Sequence, residues 1–79
     1  MNVVPLYAFV EGDTMGVVVL AHSDGTVAEL AEKMIQAVSV RVARRERFTV
    51  TANDKPLDLR ATLRMQGLRA LDRVDLTWE

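Results

Sequence analysis

The side chains able to do chemistry in this sequence are few and widely separated. His22 is the only histidine and cysteine is absent, so neither a disulfide, a thiol nucleophile nor a zinc-thiolate site can be built. A lone imidazole in a presumed turn also lacks the further ligands a metal requires. Glu29 and Glu32 share one helical segment, but a dicarboxylate centre needs more ligands converging from other elements. The Glu-x-x-His pairs that hold di-iron in helical bundles are missing. Ser23 and Ser39 have no His/Asp arrangement beside them. Gly12, Gly16, Gly25 and Gly67 are too scattered to cradle a phosphate. We therefore expect no catalytic, cofactor-binding or metal-ligating residue in this chain, and we read these acids and His22 as solvated.

What the sequence does offer is recognition. Arg41, Arg44, Arg45 and Arg47 crowd one short stretch. They can favour the negative end of a preceding helix and otherwise point into water, or they can line a contact with an acidic partner. No aromatic residue interleaves them, so nucleic acid is not an expected partner. Tyr7 and Phe9 fall on the same side of an alternating segment, and with Arg41, Arg44 and Arg45 they are the candidate partner-binding residues. Trp78 suits either core packing or a half-exposed place at an interface.

The element that must organise these residues is Thr26-Val-Ala-Glu-Leu-Ala-Glu-Lys-Met-Ile-Gln-Ala-Val38. Val27, Leu30, Ala31, Met34, Ile35 and Val38 recur at helical spacing and form one apolar stripe, with Glu29, Glu32, Lys33, Gln36 and Ser39 opposite. Thr26 followed by Glu29 is a capping box. Around this helix the pattern switches to period two. Leu6–Val10 and Gly16–Ala21 read as strands joined through Glu11-Gly-Asp-Thr14, with Val17-Val-Val-Leu20 resembling a well-covered strand. Pro5 is expected where the first strand begins. Phe48–Ala52 alternates, Asn53-Asp54 opens a turn, and Leu57 and Leu59 suit a short strand. Ala61–Gln66 has room for about one helical turn, with Gly67 as its left-handed stop, and Val74–Trp78 is the last strand.

A hairpin, one helix with a single apolar face, and three further strands cannot form an all-parallel sheet. The expected fold is α+β, a β-grasp: a mixed sheet of about five strands with the long helix packed on one face and the first and last strands parallel in the middle. Seventy-nine residues correspond to a single domain spanning 1–79. The composition, 49% hydrophobic and 27% charged with a net charge of −1, is that of a globular chain without a global pull toward nucleic acid or anionic lipid. No apolar run approaches the ~20 residues of a membrane span. No basic stretch precedes a long apolar core near the start, so no signal peptide is expected and the cytoplasm is the expected compartment.

Asn53-Asp-Lys-Pro-Leu57, Thr62-Leu63, Gly67-Leu68 and Val74-Asp-Leu76 resemble the second half of ubiquitin in spacing and apolar pattern. The sequence closes on Val74-Asp-Leu-Thr-Trp-Glu79 instead of a flexible Gly-Gly, so we expect a binding body and no carrier chemistry at a terminal carboxylate. Val4-Pro-Leu-Tyr-Ala-Phe-Val-Glu-Gly-Asp13, Val17-Val-Val-Leu20, Thr26-Val-Ala-Glu-Leu-Ala-Glu-Lys33, Val40-Arg-Val-Ala43, Gly67-Leu68 and the end from Val74 together resemble a bacterial family. That family is the small γ subunit, or system protein B, of multicomponent toluene-type di-iron monooxygenase hydroxylases. The resemblance implies a non-catalytic structural subunit that docks on and stabilises the large α subunit of an αβγ protomer, usually paired as a dimer. It also implies that the di-iron centre belongs to α, and that the oxidised hydrocarbon is aromatic or an alkene such as isoprene. This chain itself would bind no cofactor and would be a monomer when isolated. The alternative is a ubiquitin-like adaptor of a bacterial secretion apparatus.

Overall fold

Alternating burial along the first strand starts the sheet. In the computed structural model, which describes residues 2–79, strand β1 is Val3–Val10, with Leu6, Ala8 and Val10 buried. It is followed by β2 (Val17–His22), helix α1 (Val27–Ala37), β3 (Phe48–Ala52), β4 (Lys55–Pro56) and β5 (Arg73–Trp78). The strand order is β2-β1-β5-β3-β4. β1 and β5 run parallel at the centre, with Ala8 beside Val74 and Val10 beside Leu76, and the other neighbours are antiparallel. This is the β-grasp arrangement expected from the element order.

The helix starts where the capping box places it. The Glu29 amide donates to Thr26 Oγ1 at 3.2 Å, and the Thr26 amide donates back to Glu29 Oε1 at 2.9 Å. Val27, Leu30, Ala31, Met34 and Ile35 are buried on the face toward the sheet, and Val38 at the C-cap joins them. They meet Leu6, Ala8, Val10, Val19, Ala21, Val50, Val74 and Leu76 from the strands in one core. Trp78 packs at its margin, edge-on to Phe48 with ring centroids 6.2 Å apart. Its Nε1 donates to the Glu11 carbonyl at 3.0 Å, so the apolar body is sheltered and the polar atom is satisfied.

Four details differ from the sequence reading, each for a local reason. First, β1 begins at Val3, which leaves Pro5 inside the strand. The Leu71 amide donates to the Pro5 carbonyl and the Tyr7 amide to Asp72 O, so Pro5 points its missing N–H toward β5. There β5 begins only opposite Tyr7, and no ladder bond is lost.

Second, the fourth strand is Lys55–Pro56 and not the Leu57–Leu59 stretch. Asn53 and Asp54 both take positive φ, 53° and 63°, the two-residue turn whose twist suits a hairpin. That turn pairs Lys55 at once with Ala52, and Leu57 and Leu59 become half-buried flanks of the core.

Third, Ala61–Gln66 forms a single turn with no helix. The Ala61 and Leu59 carbonyls accept from the Val27 and Ala28 amides at 2.9 and 3.0 Å. Ala61 and the residues just before it thus serve first-turn donors of α1 that have no partner within the helix. The turn still ends as anticipated. Leu68 N donates to Leu63 O, Gly67 N donates to Arg64 O, and Gly67 stands at φ 72°; this is a Schellman closure.

Fourth, β2 is an edge strand covered on one face only. Val19 and Ala21 are buried, while Val18 and Leu20 are 55% and 57% exposed.

Candidate partner-binding surface

The arginines after the helix do not form a free cationic patch. Arg41 grips Asp13 with Nε shared between Oδ1 and Oδ2 at 3.1 Å each and Nη2 donating to Oδ2 at 2.8 Å. The Asp13 side chain is only 2% exposed, so this pair ties the β1–β2 loop to the segment leaving α1. The Arg41 guanidinium holds the Asp13 carboxyl below its ordinary value, outweighing the opposing effect of desolvation. Arg44 makes a second bidentate pair with Glu32, at 2.7 and 2.6 Å, with both side chains largely in water. It likewise lowers the Glu32 carboxyl. Arg45 forms no ion pair among the described residues. Arg47 likewise forms none among them and is exposed, but Arg45 also lines a shallow cleft with Glu11, Arg41, Val42 and Trp78, where it can meet an acid from outside.

Tyr7 and Phe9 lie on the outer face of the sheet, away from the helix. Tyr7 is 44% exposed. Phe9 is more enclosed. The Arg73 guanidinium stacks 4.0 Å above its ring centroid while Asp75 holds Arg73 at 3.0 Å. The ring also lies over Gly16, where a Cβ would come within 2.6 Å of it. The two sets of candidates therefore stand on different elements. The β1–β2 loop separates them, with Asp13 holding Arg41 and Gly16 supporting Phe9.

The sequence reading passed over Val3, Val18 and Leu20, which extend the exposed apolar surface beside Tyr7. Tyr7 sits directly opposite Val18, and Pro5 opposite Leu20. The signal was the strand order itself: the second strand of a β-grasp hairpin is an edge, and alternate residues of an aliphatic edge strand face outward. His22 is exposed at the end of β2, and the neighbouring Glu29 carboxyl is held below its ordinary value chiefly by its hydrogen bonds from Thr26. Among the described residues, no three His, Cys, Asp or Glu side chains converge as a metal site would require. No described helix is long and apolar enough to cross a membrane.

The fold and its neighbours define the class as a ubiquitin-like β-grasp protein. Residues 3–78 match the sequence family described as toluene-4-monooxygenase system protein B (TmoB), and the chain belongs to that family. It is thus a small accessory component of a monooxygenase system. A chain from a structure of a "toluene 4 monooxygenase HD complex" with the inhibitor 4-bromobenzoate superimposes with a TM-score of 0.90 at 24% identity. The match covers 99% of this chain and 100% of that one. The ubiquitin of Caldiarchaeum subterraneum matches with a TM-score of 0.78 at 13% identity, over 99% of this chain and 95% of that one. The EccD5 ubiquitin-like domain of Mycobacterium xenopi matches at 0.80 and 17%, over 100% and 97%. No curated protein matches the sequence significantly.

Proposed function

We propose that this chain is the non-catalytic γ-type subunit of a multicomponent di-iron hydrocarbon monooxygenase hydroxylase, docking on the large α subunit and stabilising its helical body. The observation that carries this reading is the family match over residues 3–78. The likeness to a whole chain from a toluene 4-monooxygenase complex supports it. On this reading the di-iron centre belongs to α, and α, β and γ form a protomer that pairs as a dimer. The oxidised hydrocarbon is an aromatic or an alkene such as isoprene. The isolated chain is a cytoplasmic, single-domain monomer over residues 1–79 that binds neither nucleic acid nor membrane.

For the contact with α, Tyr7 and Arg45 are the leading anchors, because one is exposed and the other has no ion-pair partner among the described residues. Arg44 and Arg41 already commit part of their donors to Glu32 and Asp13, so each has less to offer an outside acid than Arg45. Phe9 serves by holding Arg73 in place at the same face.

Co-expression with the α and β subunits encoded beside this chain tests the reading. One complex is expected, with iron in the large subunit and no stoichiometric iron in the purified small chain. Tyr7→Ala and Arg45→Ala should each reduce the amount retained with α while the free domain stays folded. Absence of any affinity of the unmodified chain for the oxygenase subunits overturns the assignment. The secretion-adaptor alternative has only the shared fold behind it. Neighbouring secretion ATPase genes, in place of oxygenase, ferredoxin and reductase genes, would restore it.

A further inference from the structure

We infer that the exposed edge of β2, at Val18 and Leu20, accepts an extended strand from the large hydroxylase subunit, so that the partner continues this sheet; the inference rests on the subunit reading above. The first observation is how differently the two edges of the sheet are treated. At one end β4 is two residues long and consists of Lys55 and Pro56, a short edge carrying a charge and a residue that cannot donate. Such features discourage another strand from pairing. At the other end β2 is Val17-Val-Val-Leu-Ala-His22. It is six residues long, with no lysine, acid, proline or glycine along it.

The second observation is the direction of the backbone groups. The Tyr7 amide donates to Asp72 and the Pro5 carbonyl accepts from Leu71, so these residues of β1 turn their polar groups toward β5. Leu6 and Ala8 between and beyond them turn theirs toward β2, where they stand opposite Val19 and Val17. By the alternation of an antiparallel ladder, Val18 and Leu20 then aim both N–H and C=O away from β1, at the open edge. Neither residue makes a turn, loop or side-chain hydrogen bond with a described residue. Two donors and two acceptors at strand spacing are thus left to water or to another strand.

The third observation is that the same two residues carry exposed aliphatic side chains, with Tyr7 and Val3 adjoining them on the outer face. Alternating donors and acceptors select an extended occupant, because a helix satisfies its own backbone groups. An uncharged aliphatic border selects apolar side chains on the strand's outer side. A second copy of this chain fits less well. Six residues at ~3.3 Å each make a contact about 20 Å long and one strand deep, short of the ~1,000 Å² total that a stable interface buries. A large subunit can add its own body over Tyr7 and Val3 to complete the contact.

The test uses the complete chain with the co-expressed α and β subunits. Amide hydrogen exchange should slow at Val18 and Leu20 when the complex forms, relative to the isolated chain. Val18→Pro and Leu20→Pro remove only outward donors, a change that edge strands accommodate. Each should lower retention with the large subunit roughly tenfold, the scale of one lost ladder hydrogen bond. Val18→Thr keeps both the N–H and the β-branch and should retain most of the binding. If the proline variants do not fold, the exchange measurement on the unmodified chain decides. Equal exchange at Val18 and Leu20 in the free and bound states overturns the inference even where the subunits co-purify. So do folded proline variants that bind like wild type. Protection already present in the concentrated isolated chain overturns it too, because the occupant is then a second copy. Failure of the unmodified chain to bind any oxygenase subunit removes the subunit reading and this inference together.

Discussion

Asp13 and Arg41 lie 28 residues apart in sequence and form a bidentate pair in which the carboxylate is almost wholly enclosed. Arg41→Ala strands that acid without its cation, whereas Arg45→Ala breaks no ion pair among the described residues. Thermal melting should therefore show a Tm several degrees lower for Arg41→Ala and an unchanged Tm for Arg45→Ala. Asp13 has a depressed folded pKa, so its share of stability is present above the ordinary aspartate value of 3.8. That share is lost as pH falls through the lower folded value. Melting curves across this acidic range should slope less steeply for Arg41→Ala than for wild type.

The helix face gives the plainest stability contrast. Leu30 is fully enclosed while Gln36 points into water. Leu30→Ala should cost about 2–5 kcal/mol, and Gln36→Ala less than about 0.5 kcal/mol. Denaturant unfolding of the two variants checks this, and similar midpoints would mean that the buried face has been misplaced.

Leu71 holds a left-handed backbone, φ 68°, with most of its side chain in water. A non-glycine residue in that region costs roughly 1–2 kcal/mol, and the exposed side chain returns little. Leu71→Gly should hold or raise stability by up to about 1 kcal/mol, while Leu71→Ala keeps the strain and should not. Chemical denaturation of the pair distinguishes them.

At Gly16 an added Cβ would fall 2.6 Å from the Phe9 ring. The far edge of that ring can swing away, so Gly16→Ala should destabilise by no more than about 1 kcal/mol. It should, however, displace the ring from the Arg73 guanidinium. Loss of the ring-current shift on the Arg73 side-chain protons reports the movement.

Much of this architecture could be read from local pattern. Thr26 and Glu29 announce the helix start because both halves of the box lie within one turn. The apolar stripe to Val38 is equally local. The β4 boundary was not legible, since it depends on Asn53 and Asp54 both adopting positive φ, which composition alone does not require. The Ala61–Gln66 turn was obscured for a different reason: its conformation answers to the Val27 amide and to the Gly25 and Ser23 carbonyls more than thirty residues earlier. The same distance hid the fate of the arginines. Their charge is evident in sequence, but Asp13 and Glu32 reach two of them only through the fold. Val18 and Leu20 were hidden within an unbroken aliphatic run, whose local pattern does not separate a covered strand from an edge strand; only the strand order does so.

The central place of β5 has a consequence for biosynthesis. Its residues, Arg73–Trp78, bridge β1 and β3, so the two halves of the sheet have no strand between them until those residues have left the ribosome. Helix α1 and the β1–β2 hairpin can cover one another beforehand, but Val50, Val74 and Leu76 join that core only through a pairing that closes a loop of more than sixty residues between Tyr7 and Arg73. Such long-range closure is slow relative to local contacts. The nascent chain therefore commits to its structure only once Arg73–Trp78 have emerged, and whatever shields the unfinished core during that interval governs how much folded protein is recovered.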